Sequence, residues 1–195
     1  MGGSLMAYDC DVPRGALNVA GSTWSLLFQR SSDWSQFALL IGGSYPAPFD
    51  QQVLLALAQS QFDFTDPINA AGHWFQSPLA GCPKKHILQQ MVIGDAQVPN
   101  VSSEILARTG GLGLLDDSPI AVFGMTPAAP PLDDALTIWD MHASPLPPDT
   151  NVGLHADNGV HGALIEMVPE AQHQVAQFLK TGQIVSTCSG TCDPG

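Results

Sequence analysis

The sequence predicts an α/β domain with a mostly parallel sheet of few strands. Short apolar runs bounded by glycine or polar residues recur at 15–21, 86–94 and 135–141, as buried parallel strands do. Segments of helical spacing follow two of these runs, each with a proline near its start and a glycine at its end. The 195 residues, 45% of them hydrophobic, suffice for one domain, 1–195, with a proper core.

Each element has its own signature. Gly15-Ala-Leu-Asn-Val-Ala-Gly21 reads as the first strand. Residues 24–75 read as a helical, cap-like insertion broken at Pro46, Pro48 and Pro67. Within it Val53, Leu54, Leu57 and Ala58 recur at helical spacing, and Asp50 suits an N-cap. The best strand is 86–94, ending in Gly94-Asp95. A helix follows, with Pro99 at its first position, Val101, Ile105 and Leu106 on one face, Arg108 in its last turn and Gly110 as its stop. Residues 119–125 read as a further strand, 127–131 as a proline-rich linker, 135–141 as a strand and 144–162 as a long loop. The last helix opens at Pro169, turns Ala171, Val175, Phe178 and Leu179 inward and stops at Gly182.

Composition narrows the function. Eighteen acidic residues against six basic ones give a formal charge of −12, which argues against nucleic acid and anionic membranes as partners. No apolar run approaches the ~20 residues of a membrane span. No basic stretch precedes an apolar one at the N-terminus, so no signal peptide is expected. Cys188 and Cys192, in Cys-Ser-Gly-Thr-Cys, fit a local disulfide or half of a zinc site. The disulfide is favoured because no second Cys pair or nearby His completes a zinc tetrad. The pairing of Cys10 and Cys82 is not readable.

Ligands of open α/β sheets bind beyond the carboxyl ends of the strands. Asp95 stands there, directly after the strongest strand, and His161 lies in the loop after the next major one. An Asp followed by a His is the second half of the chain order Ser…Asp…His. In that arrangement the carboxylate orients an imidazole that acts as general base. His142, His155, Asp157 and His161 also fall within 20 residues. They offer nitrogen and oxygen donors for a divalent metal such as zinc, which would lower the pKa of bound water toward ~7.

Several segments resemble the C-terminal part of bacterial α/β-hydrolase-fold esterases and lipases. They are Gly94-Asp95-Ala-Gln-Val-Pro-Asn100, Ala107-Arg108-Thr109, Val160-His161-Gly162-Ala163, Gly15 to Gly21, Leu26 to Arg30, Asp66-Pro67-Ile-Asn69 and the terminal Cys-x3-Cys. The resemblance covers nearly the whole chain. It implies that Asp95 and His161 are the acid and base of a catalytic triad.

The family's Gly-x-Ser-x-Gly elbow is not found, and Met1-Gly2-Gly3 resembles the residues that directly follow its serine. The resemblance therefore implies a partial hydrolase fold, truncated just past the nucleophile. Its early strands and part of its oxyanion hole would be missing. Ser4 and Ser22 are hydroxyls, but neither sits on an elbow. The strand at 15–21 would then lack a neighbour on one side, an edge that invites pairing with a second copy; a homodimer is expected.

The expected function is hydrolysis of an activated, small hydrophobic ester-type substrate, a carboxyl ester or phosphotriester, through metal-bound water or the remaining Asp95 and His161. The alternatives are a catalytically silent structural fragment held by self-association, or half of a split serine esterase.

Overall fold

In the computed structural model, which describes residues 1–195, five strands form one sheet in which every pair is parallel. They are β1 (Arg14–Asn18), β2 (His86–Val92), β3 (Gly113–Leu115), β4 (Pro127–Ala128) and β5 (Ala135–Trp139), in the order β1-β2-β5-β3-β4. The helices are α1 (Gly2–Tyr8), α2 (Trp24–Arg30), α3 (Ser35–Ser44), α4 (Pro48–Phe62), α5 (Pro67–Ala70), α6 (Asn100–Gly110), α7 (Val160–Met167) and α8 (Pro169–Thr181). The α/β class expected from the sequence is the class observed. No helix is long and apolar enough to cross a membrane.

Strands β2 and β5 lie inside the sheet and are covered on both faces, which is why they read as unbroken apolar runs. Alternation along β2 sends Ile87, Gln89 and Met91 to one face and Leu88, Gln90 and Val92 to the other. The first face packs with Met6, Trp74 and Leu106, the second with residues of α7 and α8. The two buried glutamines need hydrogen-bond partners. Gln89 Nε2 donates to the Ser103 carbonyl of α6 at 2.8 Å, and Gln90 Nε2 to Gln174 Oε1 of α8 at 3.0 Å. Each helix is thus fastened to the same central strand.

Several boundaries move. The predicted strand at 119–125 is loop, whereas β3 and β4 are three and two residues long, and β4 falls in the proline-rich segment. Pro99 is the N-cap of α6, not its first residue, and Gly110 is its last, with Gly111 at φ 75° forming the stop. The buried face of α6 is Ser102, Ser103, Leu106, Ala107 and Gly110, so Val101 and Ile105 are only partly covered. In α4, Ala47 is the N-cap, Asp50 sits in the first turn and Leu55 is the buried residue. The helical spacing of Val53, Leu54, Leu57 and Ala58 is realised in α4, with Val53 and Leu57 exposed. In α8, Ala171, Gln174 and Phe178 face inward while Leu179 is exposed.

Two disulfides are present, Cys188–Cys192 as expected and Cys10–Cys82, which joins residues 72 apart. Trp74 is fully buried and its indole N–H donates to the Gly3 carbonyl at 2.8 Å, holding α1 to the body. Gly110 lies flat against the Trp74 ring, and a methyl group there would collide with it. Gly110→Ala is therefore expected to lower stability by about 1–3 kcal/mol, measured as a fall in the urea midpoint.

Candidate functional site

The site begins where β2 stops. Gly94 turns the chain with φ at 76°, a conformation that favours glycine. A side chain there would also come within 2.8 Å of Ala143 Cβ. Asn100, the first residue of α6, clasps the turn: its Oδ1 accepts from Gly94 N at 2.8 Å and its Nδ2 donates to the Val92 carbonyl at 2.7 Å.

The turn delivers Asp95, only 2% exposed. Its Oδ1 accepts from the backbone N–H groups of Gln97 and Val98 at 2.8 and 2.9 Å. Its Oδ2 accepts from His161 Nδ1 at 2.8 Å. The sequence pair Asp95 and His161 is therefore brought together, 66 residues apart in the chain. His161 differs from expectation in one respect: it lies in the first turn of α7, not in the loop before it.

The preceding loop fixes α7 against the β2 end. Asn158 Nδ2 donates to the carbonyls of Gly94 and Pro145 at 2.8 and 2.9 Å. Asp157 accepts from Gln97 Nε2 at 2.9 Å and from Gly159 N at 3.0 Å. Those same bonds, the Gly159 one foremost, hold the Asp157 carboxyl below its usual range. Asn100, Gln97 and Asn158 escaped the sequence reading, because a polar loop residue looks alike whether it faces water or a carbonyl.

Because a carboxylate only accepts, Asp95 dictates the Nδ1–H tautomer and leaves the Nε2 lone pair as the basic position. Nε2 has no hydrogen-bond partner within the chain, and the side chain is 26% exposed. Burial by itself pulls the His161 pKa down. The Asp95 hydrogen bond and charge, helped by Asp33 and Asp157, outweigh it, and the net shift is upward.

His161 lines a cavity of about 280 Å³ whose walls include Trp24, Leu27, Trp34 and Val98 together with the backbone of Met1 to Gly3. The indole N–H of Trp24 is buried with no partner in the protein. Ser22 and Ser31 also line the cavity, but Ser22 Oγ donates to the Ser102 carbonyl and Ser31 Oγ caps Asp33 N. Ser4 Oγ donates to the Thr65 carbonyl. None of these hydroxyls bonds to His161.

The expected metal set does not assemble. His155 Nε2 donates to the Arg30 carbonyl at 2.6 Å, His142 pairs with Asp193 at 3.0 Å, and Asp157 is engaged as above. The one group of three or more His, Cys, Asp or Glu ligand atoms that converges is Asp117, Cys188 and Cys192. Proximity in sequence misled here because the loop runs extended, and each donor meets a different part of the body. His142, His155, Asp157 and His161 do not fit a common ion, and no step is routed through one.

No protein-family model, curated protein or solved structure matches this chain. What the site can do must follow from its own chemistry. An oriented imidazole with one free nitrogen, backed by a buried carboxylate and facing a cavity lined by both apolar residues and polar ones such as Asp33 and Gln97, can take a proton from a bound water or hydroxyl. Removing the Asn158 clasp with Asn158→Ala is expected to cost about 1 kcal/mol in urea unfolding. Faster amide exchange in the first turn of α7 should accompany it.

Proposed function

We propose that this chain is a hydrolase of activated ester-type bonds, a carboxyl ester or phosphotriester, in which Asp95 and His161 are the acid–base pair. The observation that carries the reading is the 2.8 Å bond from His161 Nδ1 to the buried Asp95, with Nε2 left free at the cavity. The resemblance to α/β-hydrolase-fold esterases supports the same two roles.

A small hydrophobic substrate rests its acyl or aryl part against Trp24, Leu27 and Trp34. His161 Nε2 takes a proton from a water as that water's oxygen attacks the carbonyl carbon or phosphorus. Asp95 stabilises the imidazolium that forms. The bond to the leaving group breaks with its electron pair, and the imidazolium returns its proton to the departing oxygen or to solvent. General-base assistance alone supplies about 10²–10⁴-fold, so leaving groups of phenol-like acidity are the reactive class. Met1 to Gly3 share the cavity with His161. A serine hydroxyl presented from that wall, as the resemblance implies, would use the same base.

Self-association belongs to the proposal. β1 is a sheet edge with no strand on its outer side, and the exposed Leu5 and Tyr8 of α1, which packs on β1, lie beside it. Pairing of two copies there covers both. Light scattering should give twice the 20.6 kDa of one chain; a single-chain mass at all concentrations rejects the pairing.

Hydrolysis of a p-nitrophenyl ester and of a p-nitrophenyl phosphotriester tests the activity. His161→Ala is expected to lower kcat/KM by about 10²–10⁴-fold; unchanged turnover rejects the proposal. The base must be neutral, so the rate falls with decreasing pH, with an inflection above histidine's ordinary 6.5 because the His161 pKa is raised. Chelator treatment is expected to leave turnover intact, since His142, His155, Asp157 and His161 do not converge. Loss of activity that zinc restores would instead favour the metal-bound-water route.

A further inference from the structure

The terminal Cys-x3-Cys is the remaining sequence motif that the hydrolytic site does not use. In the fold it lies beside Asp117, which stands in the loop after β3. The ligand atoms of Asp117, Cys188 and Cys192 lie within 4.8 Å of one another. Asp117 is 7% exposed, and its Oδ1 is buried with no hydrogen-bond partner. Its Oδ2 lies 3.2 Å from Cys192 Sγ, a sulfur that carries no proton while the disulfide is closed. A buried carboxylate oxygen without a donor is costly. The carboxylate is aimed at two sulfurs that cannot serve it in their oxidised form.

We propose that Cys188, Cys192 and Asp117 form a zinc site that is closed off by the Cys188–Cys192 disulfide and opened by its reduction. A dithiol breaks the S–S bond by giving up two electrons and two protons and becoming a disulfide, or a phosphine does so with one water, which supplies the oxygen of the phosphine oxide and the two thiol protons. The two sulfurs become thiols, and Zn²⁺ then displaces both protons and binds two thiolates and the Asp117 carboxylate. Water takes the fourth position. Thiolate and carboxylate are the donor types that zinc accepts, and two thiolates with one carboxylate neutralise the ion and leave a single negative charge.

The backbone makes this feasible without refolding. Cys192 is held beside Asp117 by bonds that do not involve sulfur: its N–H donates to the Asp117 carbonyl at 3.1 Å and its carbonyl accepts from Asp140 N at 2.9 Å. Two sulfurs on one zinc sit roughly 3.8 Å apart, from Zn–S bonds of about 2.3 Å in tetrahedral geometry. They must therefore move apart once the bond between them is broken. Cys192 is fully buried and stays in place, while Cys188 is half-buried and borders an open cavity of about 220 Å³ with Glu170, Ser189 and Asp193. Cys188 has room to move, and the cavity is the path for reductant and ion. The site serves structure, tying the C-terminal tail to the β3 loop, and does not depend on the hydrolytic reading.

The test is zinc content by mass spectrometry after gel filtration, with and without a phosphine reductant. One zinc per chain in reduced protein and none in oxidised protein is expected. Cys188→Ser/Cys192→Ser, which keeps Cys10 and Cys82, should bind none under reduction. Asp117→Asn should retain the disulfide and weaken zinc binding by at least about tenfold, the loss that removing even an outer partner causes. If reduction unfolds the chain, regain of the circular dichroism spectrum on adding one equivalent of zinc supports the site. Reduced, folded protein without zinc overturns it, as does unfolding that zinc does not reverse, or Asp117→Asn binding as tightly as the parent.

Discussion

A carboxylate buried at the end of a central strand has to be surrounded by donors, and that requirement organises this molecule. Asp95 is placed by β2 and turned inward by Gly94, where its charge is stable only if hydrogen bonds replace lost water. Two donors come from the chain just beyond it, Gln97 N and Val98 N, and the third from His161. Supplying that third donor dictates where α7 begins. The fastening of residues 157–159 to Gly94, Pro145 and Gln97 follows from the same demand. The geometry that satisfies the carboxylate also fixes the His161 ring, with Nε2 left without a partner in the chain.

The helical segment between β1 and β2 has a different physical character. Trp24, Phe28, Trp34 and Phe62 form a cluster with ring centroids 4.2 to 6.1 Å apart, and Asp66 anchors it by accepting from the backbone N–H groups of Thr23 and Trp24. Beyond that cluster the helices are thinly packed: α3 buries no residue fully and α4 buries only Leu55. Phe37, Leu40, Phe49 and Leu57 remain exposed. The inner part of the insertion forms an apolar wall of the His161 cavity, and the outer part holds few contacts. Local opening should be easiest there, beside the cavity that His161 lines.

How much could be read from the residues depended on how local each determinant was. Strands β2 and β5 were legible because burial on both faces leaves an unbroken apolar run. Helices α6 and α8 were legible because proline and glycine mark their ends. Asp95 and His161 were legible from their places after strands, and Cys188–Cys192 from its short loop. Strands β3 and β4 were not, since so few residues carry no period and tertiary pairing alone makes them strands. The helix α4 was legible from its spacing, but its buried residue, Leu55, was not, because spacing defines a stripe and not whether anything covers it. Cys10–Cys82 and Asp117 near Cys192 are set by chain path, which pattern reading does not reach. The histidine-rich loop failed as a metal set for the same reason: His155 meets the end of α2 and His142 the C-terminal tail.

Asp95 orients His161 and stabilises its protonated form strongly enough to outweigh burial. An NMR pH titration of the His161 ring in the parent chain and in Asp95→Asn measures this directly. The expected midpoint lies above 6.5 in the parent and lower in the variant, where burial is no longer opposed by the carboxylate. A parent midpoint at or below 6.5, or one that Asp95→Asn leaves unchanged, would contradict that role of Asp95.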